Sequence, residues 1–169
     1  MNFFRKLYYL YYRPKIFFPK KTYSLFGEDL VVKKFFKKNK GIYVDIGAYH
    51  PIEGSNTYLL YKKGWSGINI DLSDLSIQLF KITRKKDSNL RLSVGSKEGK
   101  KKYFFRKKIN MLNTTNIKFA QKNFPNNYQI AEIQQKTLNN IMDKSRFKDR
   151  QIDFLNIDVE GNEYNVIKN

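Results

Sequence analysis

Apolar residues run along this chain in short blocks whose period changes from block to block. Ile42-Tyr43-Val44-Asp45-Ile46 is a β-prone run opening onto Gly47, which suits a buried parallel strand. Ser66 to Ile70, with Ile68 and Ile70 apolar, predicts a second strand stopping at Asp71. Leu90 to Val94 predicts a third, and Ile152 to Asp158 another of the same kind. Lys102–Arg106 predicts an extra strand on which Tyr103 and Phe105 alternate with Phe104, and Ile130–Thr137 one more.

Between these lie helical patterns. Ser24 to Phe36 predicts a helix with Ser24 as N-cap, Glu28 and Asp29 in its first turns, and Leu30, Val31, Phe35 and Phe36 on one face. Residues 55–63, Asp74–Lys81, a short stretch ending at Asp143, and the residues from Gly161 onward predict further helices. The Asn-rich stretch Asn110–Asn127 reads as an irregular connection with one helical piece. Strands alternating with helices of this length imply an α/β fold with a largely parallel sheet. A chain of 169 residues suffices for one such domain, taken to span residues 23–169, behind a basic, aromatic N-terminal arm at 1–22.

That arm holds six basic and no acidic residues among rings such as Phe3, Phe4, Tyr8 and Phe17, with Pro14 and Pro19 breaking any long helix. It reads either as a segment packed on the domain or another subunit, or as the peripheral contact of a cytoplasmic protein with the inner face of an anionic membrane. The net charge is +18, carried by 26 Lys against 7 Arg. Lysine without arginine forks argues against dedicated nucleic-acid readout, and a chain so rich in Asn, Ile, Phe and Tyr has the composition that A+T-biased codons produce. The absence of cysteine excludes disulfides, zinc–thiolate sites and thiol nucleophiles, and no metal site is predicted.

Chemistry in open α/β sheets gathers beyond the carboxyl ends of the strands, where strand order reverses. The first strand ends Asp45-Ile46-Gly47-Ala48 and the second at Asp71, which lies 26 residues after Asp45. A carboxylate at the second position suits ribose hydroxyls. A nicotinamide dinucleotide wants three spaced glycines for its pyrophosphate, but only Gly47 lies between Asp45 and Glu53, and Asp45 would face like charge. S-adenosylmethionine carries no phosphate and has a cationic amino group and sulfonium, so the carboxylates favour it.

Gly41 to Pro51, Ser55-Asn56-Thr57-Tyr58 and Lys62 to Asp71 resemble the opening of FkbM-type methyltransferases. Tyr23 to Asp29 is similar to a segment upstream of it, with Leu25 where that family carries glutamine, and Ile152 to Gly161 is similar to its Ile-Asp-Val-Glu-Gly motif. The resemblance implies a Rossmann-like class I methyltransferase sheet and S-adenosylmethionine-dependent transfer to a hydroxyl, often of a sugar, with polysaccharide precursors as the expected acceptors. Carried across, Asp45, Gly47 and Ala48 hold the methionine end, Asp71 the ribose, and Ser93 and Val94 lie near the adenine. Glu28, Asp29, Asn56 and Glu160 line the site, and residues lining it on the acceptor side are expected within Asn110–Asn127.

A hydroxyl acceptor needs a base, and His50 and Asp158 are the candidates. Their bland alternatives are a structural loop histidine and a helix-capping aspartate. The chain stops soon after the Ile157-Asp158 strand, which predicts a C-terminally incomplete sheet with an unpaired edge. Two other functional classes stay open: a basic module on anionic membrane or nucleic acid, and a nicotinamide-dependent oxidoreductase.

Overall fold

A computed structural model describes residues 2–11 and 21–168, so Pro14, Pro19 and Phe17 lie outside the described residues. Strand β1 (Ile42–Ile46) is buried along its whole length because both of its faces are covered. Beside it runs β2 (Ser66–Asp71), and outside that β3 (Ser88–Arg91). On the other side of β1 lies β7 (Phe154–Ile157), giving one parallel sheet in the order β3-β2-β1-β7. Strand order therefore reverses at β1, between β2 and β7.

Alternation along β1 sends Ile42, Val44 and Ile46 to one face, where they join Ile68, Ile70, Ile141, Phe147 and Val166. Tyr43 goes to the opposite face with Leu60 and Trp65, so Trp65 is a core residue. Helix α3 (Tyr58–Lys62) supplies Leu60, and α4 (Asp74–Thr83) packs Leu75 and Leu79 against Leu10 of α1 (Phe3–Tyr11). The outward side of α1 leaves Phe3, Phe4 and Tyr8 exposed. Among the described residues no helix is long and apolar enough to cross a membrane.

Four expectations need correction. The Leu90–Val94 strand is two strands: β3 ends at Arg91 in the main sheet, and β4 (Ser93–Val94) pairs in a second sheet of order β4-β6-β5. There β6 (Gln129–Lys136) runs parallel to β4 and antiparallel to β5 (Gly99–Phe105). Helix α2 begins at Glu28 and runs to Phe35, because Gly27 sits at φ 92 and blocks earlier helical geometry. Ser24 still caps the turn, its Oγ accepting from the Gly27 and Asp29 amides.

The buried face of α2 is not Leu30, Val31 and Phe35, which are exposed. Asp29 is fully buried instead, accepting from the Thr22 hydroxyl, the Tyr23 amide at 2.7 Å and the Ser24 hydroxyl at 2.9 Å. Satisfying that carboxylate rotates the helix so that Asp29, Val32 and Phe36 face inward at i, i+3 and i+7. Finally, α3 starts three residues later than expected, because Ser55 and Thr57 are occupied below.

What ties the first strand to its helices is a buried cation. Arg84, just past α4, has no exposed surface. Its guanidinium donates to the Pro51 carbonyl at 2.6 and 3.0 Å, the Ser55 hydroxyl at 2.7 Å and the Thr57 hydroxyl at 2.7 Å. It also donates to the Tyr43 hydroxyl and Asn69 Oδ1, each at 3.3 Å. Thr57 passes its own proton to Asp45 at 2.6 Å, and Tyr43 donates to Asp87, so each hydroxyl links the guanidinium to a carboxylate.

Breaking a buried charge system by removing one partner costs about 3–5 kcal/mol. Urea denaturation of Arg84→Met should show a loss of that order. The loss should be larger at pH 8 than at pH 5, because burial raises the pKa of both Asp45 and Asp87 and protonation relieves them at acid pH. Arg84→Lys should lose nearly as much, since one ammonium cannot span five acceptors. Wild-type stability in either variant would contradict this role.

Candidate functional site

The carboxyl ends of β1, β2 and β7 open into a cleft at the reversal point. Its lining includes Ile46, Gly47, Ile70, Asp71, Leu92, Ser93, Val94 and Asp158. Asn110, Met111, Asn113 and Thr115 close it from the segment between β5 and helix α5 (Ile117–Asn123). The enclosed interior is about 30 Å³, within about 480 Å³ of space counting the open mouth.

Gly47 sets the geometry. It adopts φ 82, and its Cα lies so near the backbone of Asp158 that a Cβ would meet the Asp158 carbonyl oxygen at 1.7 Å. The Gly47 and Ala48 amides both donate to the Ile70 carbonyl, at 2.9 and 3.0 Å, and the Asp158 amide donates to that of Ile46 at 2.8 Å. Next comes Tyr49 at φ 54, a left-handed conformation that a bulky residue seldom adopts. It is fixed from both sides: its amide donates to Asp71 at 2.9 Å and its carbonyl accepts from the Ser76 hydroxyl.

Asp71 thus holds the Tyr49 amide with one oxygen and the Ser73 amide, at 2.7 Å, with the other. Burial pushes its pKa up to about 7 against these two amides, with a smaller push from Asp45. Asp158 is exposed at the opposite wall, and its pKa is raised by desolvation and by the carboxylates of Asp45, Glu163 and Glu28. Among the described residues no lysine or arginine lines the cleft, in a chain of net charge +18.

The expected site residues separate into two groups. Gly47, Asp71, Ser93, Val94 and Asp158 come together in the cleft. Asp45 lies behind it, its carboxylate shared between Thr57 and the Asn156 amide group at 2.9 Å. Ala48 is buried in the turn, and Asn56 donates to Asn156 at 3.1 Å. Asp29 is a buried anchor for α2, while Glu28 accepts from the Phe26 amide at 2.9 Å and is exposed.

Glu160 stands at φ 51, and its carbonyl accepts from the Thr114 hydroxyl at 2.9 Å. His50 faces a neighbouring groove, and its Nδ1 accepts from the Ile52 and Glu53 amides at 3.2 and 3.0 Å. The neutral ring therefore carries its proton on Nε2, and acting as a base there would forfeit both amide bonds.

Over residues 45–169 the sequence matches the model of the methyltransferase FkbM domain. The chain belongs to the FkbM methyltransferase family. Curated proteins and solved structures gave no match. The FkbM match begins at the strand-end aspartate of β1 and takes in every cleft-lining residue, so the family's methyl-transfer domain and the cleft coincide in this chain.

Sequence reading of this FkbM domain missed Arg84 and Tyr49; it expected cleft-lining residues within Asn110–Asn127 without singling any out, and Asn110, Met111, Asn113 and Thr115 of that stretch line the cleft. Arg84 sits in the run Thr83-Arg84-Lys85-Lys86, indistinguishable from an ordinary basic helix end. Tyr49 had a usable signal, its place one residue beyond Gly47-Ala48 at a strand end.

The folded pKa of Asp71, near 7, stands above the usual carboxylate value, so the folded protein holds a proton that the unfolded chain releases. Its contribution to stability is present below pH 4 and is lost as pH rises through 7. Urea denaturation between pH 4 and 8 should show stability falling across that window more steeply in wild type than in Asp71→Asn. Equal slopes would remove Asp71 as the titrating group.

Proposed function

We propose that the cleft binds S-adenosylmethionine and that the protein transfers its methyl group to a hydroxyl, with a saccharide or polysaccharide precursor as acceptor. The observation that carries this reading is the charge of the cleft. Two carboxylates, Asp71 and Asp158, line a space of mixed apolar and polar surface with no basic side chain among the described residues, within a strongly basic chain. Such a lining favours a cationic ligand without phosphate and disfavours a pyrophosphate.

The residues present fit that ligand. Asp71, when ionised, has lone pairs left for ribose hydroxyls beyond the two amides it holds. Leu92 and Val94 offer apolar surface for a flat base, and Ser93 a hydroxyl beside it. Asp45 lies behind the β1 turn, where its charge supports a cation without touching the cleft. When bound, S-adenosylmethionine supplies an electrophilic methyl group on a sulfonium.

The protein's share is alignment and proton removal. Asp158 is the base: it lines the cleft, and desolvation, with a further push from neighbouring carboxylates, raises its proton affinity. With S-adenosylmethionine bound, the methyl group would pass from sulfur to the acceptor oxygen with a neutral thioether as the leaving group, and the Asp158 carboxylate would receive the hydroxyl proton. His50, with Nδ1 held by two amides, serves better as a donor than as a base.

Nucleoside sites typically enclose about 300 Å³ or more. The segment 110–116 must therefore draw back from the 158–162 loop for the ligand to enter. Three hydrogen bonds hold that closure: Thr114 to the Glu160 carbonyl at 2.9 Å, Asn116 to the Gly161 carbonyl at 2.8 Å, and Asn162 to Thr115 at 3.2 Å.

Labelled methyl transfer from S-adenosylmethionine to a panel of sugars and sugar phosphates tests the reading. A methyl ether should form, and Asp158→Asn should lower kcat by about 10²–10⁴ and also weaken cofactor binding, since it removes one of the two cleft carboxylates. It should also remove the acid limb of the pH profile. Transfer to a nitrogen or carbon acceptor alone would overturn the hydroxyl assignment.

A further inference from the structure

Beside the cleft, and sharing Tyr49, Asn110 and Met111 with it, lies a wider groove of about 930 Å³. Its lining comes from Tyr8 of α1, from Tyr49 and His50 after β1, and from Phe105 with the basic run Arg106-Lys107-Lys108. The volume falls in the range of small-ligand sites, about 300–1,000 Å³.

The groove and the cleft have opposite charge. Among the described residues the cleft has carboxylates and no cation, and the groove has three successive cations against one carboxylate, Glu53. A net charge of +18 accounts for lysines scattered over the whole surface, but it does not account for this sorting across a shared wall. The basic run is also anchored. Ser73, the N-cap of α4, donates its hydroxyl to the Lys108 carbonyl, and Ile109 packs against the cluster of Leu10, Leu75 and Leu79. Phe105 ends β5 on the other side, so the three cations leave a fixed strand and return to a fixed contact.

Tyr8, Tyr49 and Phe105 add flat ring surface with hydroxyls at two edges, suited to a sugar whose one face is C–H and whose rim is polar. Cations on neighbouring backbone positions suit phosphate oxygens through charge-assisted hydrogen bonds.

We propose that this groove receives the methyl acceptor and that the acceptor is an anionic saccharide, a sugar carrying phosphate or diphosphate. Arg106, Lys107 and Lys108 hold the phosphate, the ring lies among Tyr8, Tyr49 and Phe105, and a hydroxyl reaches the cleft past Tyr49 and Met111. The inference rests on the methyl-transfer reading above and names the substrate class for that site.

The test titrates the full chain with glucose 1-phosphate, UDP-glucose, methyl glucoside and inorganic phosphate by calorimetry. At least one phosphorylated sugar should bind tenfold or more tightly than both methyl glucoside and inorganic phosphate. A preference for UDP-glucose assigns a diphosphate-linked sugar, and a preference for glucose 1-phosphate a simple phosphate ester. The triple variant R106Q/K107Q/K108Q should lose at least tenfold in that affinity. K100Q/K101Q/K102Q, which removes the same charge from exposed positions of β5, should lose less than threefold.

Equal losses in the two triple variants, methyl glucoside binding as tightly as the phosphorylated sugars, or no phosphorylated sugar binding at all would each overturn the proposal. S-adenosylhomocysteine titrated into the same samples separates the two readings. Cofactor binding without sugar phosphate binding defeats the groove assignment alone. Sugar phosphate binding without cofactor binding defeats the methyl-transfer reading and leaves the groove as a phosphosugar site.

Discussion

The site depends on one buried guanidinium. Arg84 sits where β1, β2, α3 and α4 meet, and it reaches two carboxylates through intervening side chains, the hydroxyls of Thr57 and Tyr43 and the amide of Asn69. Thr57 and Tyr43 each have a single proton, given to Asp45 and Asp87, and each accepts from Arg84. The polarity of the network is therefore fixed: reversing either hydroxyl would set it against the guanidinium and cost a buried carboxylate one of its donors. Asn69 follows the same rule, accepting from Arg84 with its oxygen and donating to Asp87 at 2.9 Å. Phe80, Tyr58 and Tyr61 place their rings within 4.8 to 5.6 Å of the guanidinium, screening it from water.

Because Asp45 is one end of that network and also accepts from Asn156 of β7, the position of the β1 end is set by charge as well as by sheet pairing. The turn that follows inherits the constraint. Gly47 must pass under the Asp158 backbone, and Tyr49 is driven into a left-handed conformation that delivers its amide to Asp71. The cleft wall is thus rigid on the β1–β2 side. The opposite wall is held by a few hydrogen bonds between loop segments 114–116 and 160–162, so opening for a ligand is expected there.

Much of the fold was legible in the sequence because apolar period and turn residues report it directly: β1, β2, the 154–157 strand and the helix after Asp71 follow from their patterns. The division of Leu90–Val94 into two strands was not legible, because Leu92 is apolar in either arrangement and only the pairing of Ser93 and Val94 with Gln135 and Lys136 separates them. The face of α2 was misread because a buried aspartate outweighed three apolar side chains, an outcome that depends on Thr22, Tyr23 and Ser24 converging on Asp29.

In the site, Asp71, Gly47 and Asp158 were legible from strand-end position. Asp45 was legible as a strand-end carboxylate, but its partners were not, since Thr57, Arg84 and Asn156 lie 12, 39 and 111 residues away.

The central claim is that an acidic cleft in a basic FkbM domain selects a cationic nucleoside ligand. Calorimetric titration of the full chain with S-adenosylmethionine and, separately, with the oxidised nicotinamide dinucleotide tests it most directly. S-adenosylmethionine should bind, and more tightly as pH rises through 7 and Asp71 ionises, with the dinucleotide at least tenfold weaker. Tighter binding of the dinucleotide, or no binding of S-adenosylmethionine at any pH between 6 and 8, would contradict the claim.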